Sequence, residues 1–239
     1  MDTKRQQIQD ILDHPENLKY AYQPIFDLSD GSIYGYEALM RPEPFSPMDI
    51  VEYCLSEDRL DEIETITVIY GGLHFLESHL EGRLFLNSFP AASVSREKMM
   101  EVRDVMKGRV RERMVFEMLE YTELDAYAWG RKLEEFARSR LDYLIAIDDY
   151  GTDDFEDSER MAMFHPNIVK VDRSLIENIH VDRTNQEKVK RILEYTQSNG
   201  IMALAEGVET KEEYDYIRSI PFRLVQGYYT GRPQIYNGF

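Results

Sequence analysis

Short apolar runs alternate along this chain with longer stretches of helical spacing. Runs bounded by turn residues predict strands at 20–26 (YAYQPIF), 33–40 (IYGYEALM), 83–88 (RLFLNS), 114–119 (MVFEML), 143–148 (YLIAID), 168–172 (IVKVD), 202–206 (MALAE) and 223–229 (RLVQGYY). Between most of them the spacing predicts helices over 47–56, 60–80, 91–107, 125–139, 156–164, 184–198 and 210–219. The clearest is 184–198, where Val189, Ile192, Leu193 and Thr196 share a face opposite Lys and Glu residues, and Asn199-Gly200 supplies a stop. Eight strands with intervening helices in 239 residues have the size and rhythm of a (β/α)8 barrel, an α/β fold. The first link breaks the rhythm. Only DLSDGS separates the first two strands, whereas a parallel crossover needs about a dozen residues or more. Asp30-Gly31 therefore predicts a hairpin, an antiparallel opening pair and an irregular barrel. An open doubly wound sheet is the structural alternative, but no glycine-rich phosphate loop follows any strand.

Composition narrows the chemistry. Asp and Glu number 45 against 28 Lys and Arg, a formal net charge of −17. Such a surface repels nucleic-acid polymers and anionic lipid, so a polyanionic ligand would need cations to bring it in. The one cysteine, Cys54, excludes an internal disulfide and fits a reducing cytoplasm. The polar opening MDTKRQQIQDILDH is not a signal peptide, and no apolar run is long enough to span a bilayer. The expectation is a cytoplasmic protein with no membrane partner.

Polar residues gather where strands lead into helices. Glu37 is late in YGYEALMR, Asn87 ends LFLN, and Glu117 is late in VFEMLE. Asp148 and Asp149 end LIAIDD, Lys170 and Asp172 lie in IVKVD, Glu206 ends ALAE, and Gln226 lies in the last strand. In a barrel these positions converge on the C-terminal mouth. A single acid after a strand is usually a cap or a solvated loop residue, and a single lysine usually snorkels to the surface. Carboxylates embedded in apolar runs, as Glu37, Glu117 and Asp148 are, face burial, and several together are prohibitive without cations. Four or five hard oxygen ligands beside a lysine suit Mg²⁺ or Mn²⁺ rather than tetrahedral zinc. No His/Cys ligand spacing is present.

The ordered blocks YQPIFDL, YEALMR, LNS, FEMLE, IDDYGT, VKVDRS, AEGVET and QGYYTGRP resemble those of EAL domains, the bacterial cyclic-di-GMP phosphodiesterases, over residues 20–233. The resemblance implies a TIM-like barrel with an antiparallel first strand. With no Ser/Gly-rich or Pro-rich linker dividing it, the chain is expected to form one domain over 1–239, in which 1–19 is an N-terminal extension whose helix 3–13 caps the barrel bottom or contacts a partner. Glu37, Asn87, Glu117 and Asp148 match the ligands of a first metal ion. Asp148 would bridge to a second ion, which Asp149 and Glu206 help hold. Lys170 matches the lysine that orients or activates the attacking water, and Glu206 is either a metal ligand or a general base. Arg41 resembles an arginine that contacts the dinucleotide, with Gln23 and Asp172 as further contacts. Gln226 and Glu209 look like supporting residues, and Glu120 matches a glutamate that anchors the loop after strand five. The implied cofactors are two Mg²⁺ or Mn²⁺ ions, and the implied product is linear pGpG.

One block departs. After DDYGT the family has a Gly, an aromatic and a Ser pair, whereas this chain has DDFEDSERM. The acids Asp154, Glu156 and Asp157 read either as solvated residues at a helix N-terminus or as the mark of an altered, slowed enzyme. The leading expectation is a metal-dependent cyclic-di-GMP phosphodiesterase, as a homodimer, with any further regulation from a separate protein. The alternatives are a non-hydrolytic cyclic-di-GMP receptor on the same barrel and an interaction scaffold. Trp129 reads as a packing residue.

Overall fold

The computed structural model describes residues 3–105, 114–119, 125–139 and 143–236. Its strands close into a barrel in chain order: β1 Lys19–Asp27, β2 Ile33–Arg41, β3 Arg83–Ser88, β4 Met114–Met118, β5 Tyr143–Tyr150, β6 Ile168–Val171, β7 Met202–Ala205 and β8 Leu224–Val225. β1 pairs antiparallel with both β2 and β8, and every other neighbouring pair is parallel. The hairpin expected from the short DLSDGS link is present, turning through Gly31 at φ 76°. The outer layer comprises α1 Thr3–Asp13, α2 Pro47–Ser56, α3 Leu60–Glu77, α4 Arg96–Val105, α5 Ala126–Ser139, α6 Asp154–Phe164, α7 Arg173–Ile176, α8 Arg183–Ser198 and α9 Lys211–Ser219.

Strand periodicity divides the core in two. Ile25, Phe85, Val115, Ala146, Ile168, Leu204 and Leu224 point into the barrel and fill its interior. Their neighbours, such as Leu84, Leu86, Phe116, Ile147 and Val169, point outward and bury the apolar faces of the helices. Each such side chain contributes roughly 1.5–3 kcal/mol by leaving water. Trp129 is a packing residue as expected: it is buried, meets Phe164 edge-on and donates its indole N–H to Met163 O.

Three boundaries depart from expectation for local reasons. The last strand is only Leu224–Val225, because Gly227 passes so close to the loop after β7 that a Cβ there would meet Val208 O at 2.0 Å. The helix expected from 91 begins at Arg96, because the chain first turns with Ala92 N donating to Phe89 O, and Ser95 Oγ then accepts from Lys98 N at the helix start. The N-terminal helix does not cap the barrel bottom. β1 runs opposite to β2, so Lys19 pairs with Arg41 at the end where β2 finishes, the catalytic mouth of such a barrel. α1 is therefore delivered to the mouth side, where it is tied to α2 by Lys4–Asp49, Arg5–Glu57 and Gln9–Tyr53 contacts.

Candidate metal centre at the barrel mouth

Moving two residues along each strand from the apolar plug gives the next inward position. On β3 through β6 these residues are Asn87, Glu117, Asp148 and Lys170; Glu206 and Gln226 come directly after β7 and β8, Glu37 stands two residues beyond Gly35 on β2, and on the antiparallel β1 it is Gln23. A polar layer thus lies directly on a hydrophobic one.

Lys170 is its centre. The ammonium is fully buried and lies 2.7 Å from Asp148 Oδ1, 3.2 Å from Glu117 Oε1, 3.4 Å from Glu206 Oε2 and 3.8 Å from Glu37 Oε2. These are charge contacts rather than hydrogen bonds, since Lys170 Nζ, both Glu117 carboxylate oxygens, Asp148 Oδ1 and Glu206 Oε2 are buried without a hydrogen-bond partner among the described residues. Burial alone would lower the pKa of Lys170, but Asp148, Glu117, Glu206 and Glu37 outweigh it and hold it well above the ordinary lysine value. Burial raises Glu117 well above the usual carboxylate range, Lys170 opposes the rise, and the neighbouring carboxylates add to it. Glu206 is raised for the same reasons.

The two adjacent aspartates share one side of the strand because the strand is bulged. β5 pairs Ile147 with Val169 and Tyr150 with Val171, so Asp148 and Asp149 together stand opposite a single β6 residue, Lys170. Asp149 takes the extra step at φ 51°, a left-handed conformation that aspartate tolerates better than most side chains. One carboxylate oxygen each from Asp148, Asp149 and Glu206 then lie within 4.8 Å of one another. Among the described residues, four carboxylates lie within 4 Å of the Lys170 ammonium, and Asp149 adds a fifth to the cluster. The orphaned oxygens, the excess negative charge and the oxygen-only donor set fit hard divalent cations.

Amides and backbone groups hold the layer in place. Gln226 donates to Glu37 Oε2 at 2.6 Å, and Asn87 approaches Glu37 Oε1 at 3.5 Å. Beneath β3, Glu64 accepts from Ser88 Oγ at 2.7 Å, from Phe89 N at 3.0 Å and from Lys132 Nζ at 2.5 Å, all buried. Burial lowers the pKa of Lys132 despite that partner. Arg160, 1% exposed, donates to Asp148 O at 2.7 Å and Met118 O at 3.0 Å. In the first turn of α9, burial would raise the pKa of Glu213, yet the backbone N–H groups of Asn178, Glu209 and Thr210 prevail and hold its carboxyl low.

The remaining expected site residues are placed unequally. Arg41 lines a cavity of about 250 Å³ with Glu37, Asn87 and Asp148, and its guanidinium donates to Met40 O. Gln23 stands opposite Glu37 across the hairpin and donates to Gly231 O at 3.0 Å. Asp172 follows β6 but caps α7, accepting from Ser174 N at 2.9 Å. Glu209 pairs with Arg173 at 3.1 Å. Glu120 lies outside the described residues, as do the side chains of Asp154 and Glu156. The solvated reading fails for Asp157, which is 5% exposed and accepts from Gly151 N at 2.7 Å. Larger hollows lie away from the polar layer, including one of about 480 Å³ between α6 and α8.

Sequence reading missed Glu64, Lys132, Arg160 and Glu213. The available signal was a charge on an otherwise inward helical face, as with Arg160 beside Met161 and Phe164.

The comparisons agree with this geometry. The EAL domain model matches residues 5–233. Among curated relatives, the oxygen sensor protein DosP of Escherichia coli is 25% identical over 90% of this chain and 28% of its own length. The cyclic di-GMP phosphodiesterase NbdA of Pseudomonas aeruginosa is 28% identical over 91% of this chain and 29% of its own. The chain thus spans under a third of the length of these relatives. A standalone versatile EAL protein from Vibrio cholerae, solved with c-di-GMP bound, superimposes with a TM-score of 0.77 at 29% identity, covering 91% of this chain and 92% of that one. A calcium/cyclic-di-GMP complex of Klebsiella pneumoniae BlrP1 superimposes with a TM-score of 0.75 at 26% identity, covering 94% of this chain and 58% of that one. Among the described residues no helix is long and apolar enough to cross a membrane. With its barrel, its ordered mouth residues and a family match over nearly its whole length, the chain belongs to the EAL domain family.

Proposed function

We propose that the chain hydrolyses cyclic-di-GMP to linear pGpG with the aid of two divalent cations, Mg²⁺ or Mn²⁺. The observation that carries this reading is the oxygen cluster of Asp148, Asp149 and Glu206 beside a buried Lys170, with orphaned carboxylate oxygens around it. Glu37, Asn87, Glu117 and Asp148 would hold one ion, and Asp148, Asp149 and Glu206 the other. Cations so held supply water activation near neutral pH and neutralisation of charge on the phosphoryl oxygens.

The chain's own groups have distinct tasks. Lys170 contributes a fixed positive charge, clamped by four carboxylates, at the floor of a site that must accept an anion. Its fixed position avoids reorganisation as charge develops. Gln226 and Asn87 orient Glu37. Arg41, on the wall of the same cavity, offers a guanidinium to the dinucleotide. Incubating the full chain with cyclic-di-GMP and Mg²⁺ or Mn²⁺, then chromatographing the products, tests the proposal: pGpG is expected, and intact ligand on a nucleotide-saturated protein would make the chain a receptor instead.

A further inference from the structure

We infer that Arg160 and Asp157 of α6 are positioning residues that fix the end of β5, and through it the placement of the Asp148 and Asp149 carboxylates. What those carboxylates hold rests on the two-cation reading above; the clasp itself rests on geometry. Arg160 binds the backbone on one side of the bulge, at Asp148 O, and ties it to the neighbouring strand through Met118 O. Asp157 binds the other side, at Gly151 N. Between the two anchors stands the left-handed Asp149. The clasp closes on itself, with Arg160 Nη1 3.8 Å from Asp157 Oδ1, less than one helical turn apart.

The chemistry suits the task. One guanidinium nitrogen, Nη2, donates to both carbonyls on the two strands, while the other, Nη1, faces Asp157, so the planar fork joins the strand ends to the second anchor. Burying a charged pair is costly, and an apolar side chain would fill the same space more cheaply. The retained pair is explained by what it orients. Gly151, at φ 101° with a hypothetical Cβ 2.5 Å from Leu175, leaves the loop little alternative path once Asp157 holds its N–H. The acidic stretch after DDYGT is thus in part the inner support of the aspartate pair.

The test compares Arg160→Met, Arg160→Lys and Asp157→Ala with the wild type and with Lys190→Ala, an exposed control on α8. Two readouts need no turnover: Mn²⁺ affinity from the electron paramagnetic resonance of free Mn²⁺, and amide hydrogen exchange of the metal-free chain. Arg160→Met should weaken Mn²⁺ binding about 10–100-fold, the usual effect of removing support behind a metal ligand. It should also speed exchange over 148–151 while leaving 202–205 unchanged. Arg160→Lys should recover part of both losses. Asp157→Ala should deprotect Gly151 while keeping the Arg160 bonds to Asp148 O and Met118 O, and it carries the test if Arg160→Met does not fold. Unchanged Mn²⁺ affinity and unchanged exchange in folded variants would overturn the clasp. If the wild type binds no Mn²⁺, the two-cation reading fails and exchange alone decides the clasp. If it binds Mn²⁺ without hydrolysis, the catalytic proposal fails and the clasp stands or falls on the two readouts.

Discussion

Replacing Lys170 by Met removes an ammonium from a buried ring of carboxylates. At an effective dielectric near 20, its 2.7 Å contact with Asp148 corresponds to about 6 kcal/mol of gross attraction. Desolvation of the ammonium offsets much of this, and removing one partner from a buried ionic group costs about 3–5 kcal/mol. The loss depends on pH. Glu117 and Glu206 have raised folded pKa values, so the folded chain binds more protons than the unfolded one, and their contribution to stability falls as pH rises above the ordinary carboxylate range. Lys170 opposes that rise in both, and without it they climb further. The loss in Lys170→Met should therefore be smallest near pH 5 and reach the full range near pH 8. Urea unfolding of the metal-free chain at both pH values, in chelator, measures it. A loss under about 1 kcal/mol at both, the size of a surface ion pair, would refute the role of Lys170 as counter-ion.

Other consequences can be checked separately. Excess chelator should abolish hydrolysis and Mg²⁺ or Mn²⁺ restore it, while Ca²⁺, with its larger and looser coordination, should bind yet support little turnover; product chromatography decides. Gln226→Leu removes the 2.6 Å donor to Glu37 and should cost about 10–100-fold in kcat with the fold retained, read from steady-state rates and circular dichroism. Lys132→Met leaves Glu64 buried without its counter-ion, and should lose about 3–5 kcal/mol in urea unfolding. Arg41→Ala should raise KM more than it lowers kcat; an equal fall in kcat and kcat/KM would place Arg41 at the transition state instead.

The barrel was legible because strand and helix periods are sequence-local, and because a six-residue link cannot carry a parallel crossover. The polar layer was legible for the same reason. Glu37, Asn87, Glu117, Asp148, Lys170, Glu206 and Gln226 each follow an inward position by two residues, which a strand pattern reveals without coordinates. Sequence could not place what depends on distant partners. Glu64 and Lys132 are 68 positions apart, and each alone reads as a solvated helix residue. Asp157 sits near a helix start, where an acid is ordinarily explained by the dipole, and only the approach of Gly151 N reveals its burial. The position of α1 followed from the direction of β1, a tertiary fact. Asp172 shows the converse: a residue at a strand end serves as a helix cap.

The central claim is that the barrel mouth directs water onto a phosphodiester. A single-turnover reaction of the full chain with cyclic-di-GMP and Mn²⁺ in ¹⁸O-labelled water, followed by mass spectrometry, tests it most directly. The account predicts pGpG carrying one heavy oxygen on its terminal phosphate, and no such product in chelator or from Lys170→Met. Recovery of intact, unlabelled cyclic-di-GMP from a chain saturated with both nucleotide and Mn²⁺ would contradict it.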